Sequence, residues 1–89
     1  MIDANKVFQN LEYILNYNKR MLVNKKQIEI IWAVMPWENI VKGFAKIDNT
    51  ILPLYVGVFD DVVEIRIGDV EFELSEDTIK TALEEIANE

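Results

Sequence analysis

Cysteine and histidine are both missing from this 89-residue chain. Without cysteine there is no disulfide, no thiolate nucleophile and no thiolate-held zinc or iron–sulfur cluster. Without histidine the commonest general base and the commonest metal ligand are gone. Catalysis would have to rest on carboxylates, lysine, tyrosine or hydroxyls. Gly43, Gly57 and Gly68 are the only glycines, too dispersed for a glycine-rich phosphate loop. Long apolar runs are also lacking. The longest stretch free of charge, Asn49 to Phe59, is far too short to span a bilayer. Met1-Ile2-Asp3-Ala4-Asn5 is not a charged segment leading into an apolar one, so no secretory signal is read. These absences argue against an enzyme, a cofactor and a membrane partner, and they lead us to expect a cytoplasmic protein.

What is present is a dense apolar complement. Hydrophobic residues make up 51% of the chain and charged residues 28%, which favours a folded state over disorder. The length fits one α+β domain, residues 1–89. A domain of this size buries only roughly 60–65% of its unfolded surface. So much apolar content on so small a body leaves apolar surface over, and a homodimer or larger homo-oligomer follows as one expectation. Isoleucine outnumbers leucine 12 to 7, which fits an AT-rich genome such as that of a low-GC bacterium or its phage.

Charge is divided unevenly. The net charge is −7, but residues 1–47 carry +3 and residues 48–89 carry −10. An acidic surface repels nucleic acid, whose binding depends on neutralised phosphates, and attracts basic protein surfaces. The basic cluster Lys19, Arg20, Lys25 and Lys26 lacks interleaved aromatics, so it reads as a solvated helix end rather than a phosphate contact.

Along the chain, apolar residues at helical spacing predict a helix over 4–23, with Asp3 as N-cap. Val7, Phe8, Leu11, Ile14, Leu15, Met21 and Leu22 form its stripe. Tyr13 and Tyr17 form a narrower one. Gln27 to Met35 reads as a strand with Ile28, Ile30, Trp32 and Val34 on one face. Its other face is also apolar apart from Glu29, which predicts a central or covered position. Pro36 to Ile47 fits two patterns. As a helix it stacks Trp37, Ile40, Val41, Phe44 and Ile47, at the cost of an interior Gly43 of about 1 kcal/mol. As a strand it alternates Val41, Gly43, Ala45 and Ile47 with Lys42, Phe44 and Lys46. The helical stripe is the cleaner, and helix is the expectation.

Three strands follow as a meander: Leu52 to Phe59, Val62 to Ile67, and Val70 to Leu74. Gly68-Asp69 suits a two-residue hairpin turn; Asp60-Asp61 suits it less well. Two-residue turns fix the register, setting Ile67 opposite Val70, Ile65 opposite Phe72 and Val63 opposite Leu74. Val58, Val56 and Leu54 then face Val63, Ile65 and Ile67. All these side chains share one face, so turn chemistry and apolar pattern agree. Pro53 predicts an edge position near the start of the first of these strands. A last helix, about Glu76 to Asn88, is capped by Ser75, with Ile79, Ala82, Leu83 and Ile86 as its stripe. The expected fold is an N-terminal helix, a mainly antiparallel four- to five-stranded sheet ending in the three-stranded meander, and a C-terminal helix. Phe8, Leu11, Leu15, Ile30, Trp32, Val56, Ile65, Phe72, Ile79 and Leu83 are the predicted core.

The same register turns Tyr55, Gly57, Glu64, Arg66, Glu71 and Glu73 to the meander's second face. Arg66 should pair with Glu71 and lie beside Tyr55. Glu64 should lie opposite Glu73, a mildly destabilising like-charge pair. The plainest reading of this face is a solvated one that keeps the protein soluble. The functional reading is a partner-binding surface of Asp60, Asp61, Glu64, Asp69, Glu71 and Glu73 that docks on a basic protein surface, such as that of a nucleic-acid-binding protein. Its most specific form is a phage-style inhibitor that mimics nucleic acid, of the anti-CRISPR or anti-restriction type. A metal site on Glu64, Glu73 and Asp60 or Asp61 lacks a clustered third ligand. A nuclease built on Asp61, Glu64 and Arg66 is disfavoured, because arginine cannot give up its proton and the acidic half would repel DNA. The alternative to docking is a small homo-oligomeric structural or assembly protein without enzymatic activity.

Overall fold

The computed structural model of the chain describes residues 1–18 and 27–87. Two short helices, α1 (Ala4–Gln9) and α2 (Leu11–Asn18), lead into five strands and a closing helix. The strands are β1 (Ile28–Trp37), β2 (Ile40–Ile47), β3 (Thr50–Val58), β4 (Val62–Ile67) and β5 (Val70–Ser75), and the helix is α3 (Glu76–Ala87). All neighbouring strands are antiparallel, in the order β1-β2-β3-β4-β5. This is the expected α+β class, with the meander extended to the whole sheet.

Helix formation starts as the sequence predicts. The Asp3 carboxylate accepts the backbone N–H groups of Asn5 and Lys6 at 3.0 and 3.4 Å, meeting two of the donors that a helix N-terminus leaves unpaired. The single helix predicted over 4–23 is interrupted at Asn10. There the amide side chain donates to the Lys6 carbonyl at 2.9 Å and the backbone leaves helical geometry. Asparagine competes with helical hydrogen bonding in this way. Residues 19–23 of that prediction, and the basic cluster Lys19, Arg20, Lys25 and Lys26, lie outside the described residues. At the other end, the Ser75 hydroxyl accepts the Thr78 N–H at 3.3 Å and caps α3.

The meander's registers are those predicted, pair for pair. Asp60-Asp61 closes as a tight turn in which the Phe59 N–H donates to the Val62 carbonyl at 2.9 Å. Three expectations are corrected. Pro36 to Ile47 is not a helix: Pro36 and Trp37 end β1, Glu38-Asn39 turn, and β2 follows. Both stripes are present in the sequence, but a ladder along each edge of β2 outweighs the local pattern. Asn39 adds to it, its carbonyl accepting from Val58 N–H at 2.8 Å and its amide donating to the Val58 carbonyl at 3.3 Å. Second, β1 lies at an edge, not centrally. Third, β3 is the middle strand despite Pro53. The Pro53 carbonyl accepts from Gly68, so its nitrogen faces the β4–β5 turn and no bond to β2 is lost.

The core sits between one face of the sheet and the helices. Val41, Ala45, Leu54, Val56, Val58, Val63, Ile65, Ile67 and Leu74 meet Val7, Leu11, Ile14, Leu15, Ile79 and Ala82 there, all buried. Phe8, Ile30, Phe72 and Leu83 pack partly buried against them. Trp32, predicted as core, is exposed. Strict alternation would turn it inward with Ile28 and Ile30, but the ladder shifts between Ile30 and Trp32. That bulge inserts one residue and reverses the side chains that follow it, Trp32 to Val34, and a second shift between Val34 and Trp37 keeps Trp37 outward as well. Gly43 makes it fit. A Cβ there would collide with the Trp32 carbonyl oxygen and lie 2.7 Å from Ala33 Cα.

Asn16 ties helix to sheet. Its side-chain oxygen accepts the Ile28 N–H at 2.7 Å, and its amide donates to the Ile28 carbonyl at 2.9 Å. The side chain thus stands in for a neighbouring strand on the open edge of β1. Asn16→Ala leaves both groups unpaired and should cost about 1–3 kcal/mol in urea unfolding; a loss below about 0.5 kcal/mol would mean that water replaces the amide. Gly43→Ala should cost about 3 kcal/mol or shift the β1 register. A variant with the wild-type unfolding midpoint and tryptophan emission would contradict the close crossing.

Candidate binding face

No described helix lies over the second face of the sheet, and its two halves differ in chemistry. On β4 and β5, Glu64 stands opposite Glu73 and Arg66 opposite Glu71. Glu71, Glu73 and Arg66 are exposed and Glu64 is half-buried. Arg66 Nε donates to Glu71 Oε1 at 3.2 Å, and its guanidinium carbon lies 5.0 Å from the centre of the Tyr55 ring. The one basic side chain of this half-face is therefore already engaged. Both contacts are open to solvent, where such an ion pair contributes at most about 1 kcal/mol.

The predicted site residues divide into three places. Glu64, Glu71 and Glu73 share the face. Asp60 and Asp61 occupy the β3–β4 turn at one end of β4. That turn is fastened from the core side: the Asp60 carbonyl accepts from Ile2 N–H, and the Asp61 carbonyl from Glu76 N–H. Asp69 lies in the β4–β5 turn at the opposite end, about 20 Å away along a six-residue strand. All three aspartates are exposed, but they do not form one cluster with the glutamates. Among the described residues, no group of three or more aspartates and glutamates is arranged to hold a metal ion.

The other half of the face, on β1 to β3, is apolar. Trp32, Val34 and Trp37 of β1, Phe44 of β2 and Ile51 of β3 are 44–61% exposed. Trp32 and Phe44 are register partners with ring centres 6.2 Å apart. Trp32, Phe44, Pro53, Tyr55, Lys42 and Arg66 line a shallow groove of about 430 Å³. Near its end, Gly57 is buried, and a Cβ there would lie 3.0 Å from both the Tyr55 hydroxyl and the Phe59 ring. Sequence reasoning missed this half because a helix over 36–47 would have taken Trp37 and Phe44 into the core. The strand alternative, which turns Phe44 outward, was the signal that could have found it.

No family model, curated protein or solved structure matches the chain, so the face stands on its own geometry. No helix among the described residues is long and apolar enough to cross a membrane.

Glu73→Lys replaces a like-charge pair with an opposite one. It should raise stability by about 0.5 kcal/mol at low salt, with the gain shrinking at high salt. Urea unfolding at two ionic strengths measures this; a destabilised variant would mean that the two side chains do not oppose each other.

Proposed function

We propose that this chain is a non-enzymatic protein-binding module whose acidic half-face docks on a basic protein surface in the cytoplasm of a bacterial or host cell. The observation that carries the reading is the set Glu64, Glu71 and Glu73. All three lie on the sheet face that no described helix covers, within a half-chain of net charge −10. Among the described residues, Arg66 is the cation that β4 and β5 place on this face, and it is paired with Glu71. Charges arranged in this way raise association rates with a surface of opposite sign and set the orientation of docking. The missing histidine and cysteine support a binding role over catalysis. The narrower reading, an inhibitor that mimics nucleic acid, draws on the same carboxylates and on the turn residues Asp60, Asp61 and Asp69. The basic partner is then a nucleic-acid-binding protein.

The test is capture from extract on the immobilised chain, followed by competition. Glu64, Glu71 and Glu73 changed together to Gln should keep the fold and lose at least tenfold in capture. Capture by the unaltered chain should fall steeply between 50 and 500 mM salt. Double-stranded DNA should displace the partner if the face imitates nucleic acid. Capture that ignores both the triple substitution and salt would refute the reading.

A further inference from the structure

We infer that the apolar half of the uncovered face, on β1 to β3, packs against the same half of a second copy of this chain to form a two-fold dimer. The first ground is area. Trp32, Val34, Trp37, Phe44 and Ile51 are each 44–61% exposed. At roughly 200 Å² for a large side chain fully open, these five present on the order of 500 Å² of apolar surface. That is at the upper end of the largest patch on an ordinary monomer, about 300–600 Å². It also equals the apolar share, about 65%, of the roughly 800 Å² that each copy gives to a standard interface.

The second ground is charge. On this half-face Glu29 lies opposite Lys46, and Lys42 lies between Val34 and Tyr55. It is close to neutral, so two copies of it do not repel as two acidic strips would. Lysine stems cover apolar surface while their ammonium groups reach the rim. Overlap of the β1–β3 halves leaves Glu64, Glu71 and Glu73 of both copies outside the contact.

The third ground is the state of the β1 edge. The strand has two register shifts and carries Pro36, devices that resist strand-to-strand addition. Asn16 already occupies the edge groups of Ile28. The occupant therefore meets the face of the sheet, as in two packed sheets, rather than extending it.

Light scattering on the full chain at 50 µM should give twice the monomer mass, and half-molar salt should not reduce it. Trp37→Lys with Phe44→Lys should yield a monomer at that concentration with an unchanged far-ultraviolet spectrum. The wild-type chain gives a readout that needs no substitution. Trp32 and Trp37 are its only tryptophans, so emission should move to the red on dilution as the dimer parts. A wild-type monomer at 50 µM overturns the inference. So does a dimer that survives the double substitution with its fold intact, or emission that ignores dilution. A monomer that holds a different protein through Trp32 and Phe44 also overturns it.

Discussion

Four turns that each close around two residues hold the sheet in register, and the rest of the molecule depends on that register. Glu38-Asn39, Asp48-Asn49, Asp60-Asp61 and Gly68-Asp69 join five strands without a crossover. Gly68 and Asp48 hold the first position of their turns at φ 60 and 62°, the positive-φ region that the favoured hairpin turns use, while the other two turns close without it. Glycine enters it freely, and aspartate is among the few other residues that do so. Once the turns are set, alternation decides which side chains face α1, α2 and α3 and which face away. A slip of one residue would bury Glu64, Arg66 and Glu73 and expose Ile65 and Ile67. Burial of the inner set, at about 1.5–3 kcal/mol for each large aliphatic side chain, makes that slip prohibitive.

Two register shifts in β1, at Ile30/Trp32 and Val34/Trp37, depart from alternation, and the first of them creates the apolar half-face. Up to Ile30 the strand feeds the core. After the extra residue, Trp32 and Val34 turn outward and meet Phe44 and Lys42 across the ladder. The backbone crosses so close to β2 that only a residue without a side chain fits beneath it, and that residue is Gly43. A glycine that would weaken a helix is here the condition for an outward tryptophan. The exposed aromatics are thus specified by the same local geometry that builds the fold, rather than being left over from it.

This also explains what could be read from the residues alone. The β3–β5 register was legible because turn chemistry and apolar pattern point to one answer, and the coordinates agree at every pair. The capped ends at Asp3 and Ser75 were legible because capping is local. The strand at 40–47 was not, because its apolar spacing satisfies both periods and the deciding bonds come from β1 and β3, outside the segment itself. The face of Trp32 was not, because a bulge has no signature in the alternation it breaks. The bond from Asn16 was not legible either, since nothing nearby in sequence announces that it will bond Ile28 twelve positions on. The three face glutamates were legible as a group, and so was the placing of Asp60 and Asp61 at one end of β4 and Asp69 at the other, since the strand spans the residues predicted for it.

Two unlike half-faces on one sheet impose a division of labour. A patch of about 500 Å² made of tryptophan, phenylalanine and aliphatic side chains is costly to leave in water. A strip carrying Glu64 opposite Glu73 is costly to place against its own copy. The arrangement that relieves the first cost without incurring the second overlaps the β1–β3 halves and holds the β4–β5 halves apart. Such a pair presents two acidic strips at once. A partner with two basic patches at matching separation would then bind with an effective local concentration that neither strip provides alone. The apolar half would set the spacing of the acidic halves, and the bulge over Gly43 would connect the core to the way the molecule meets its partner.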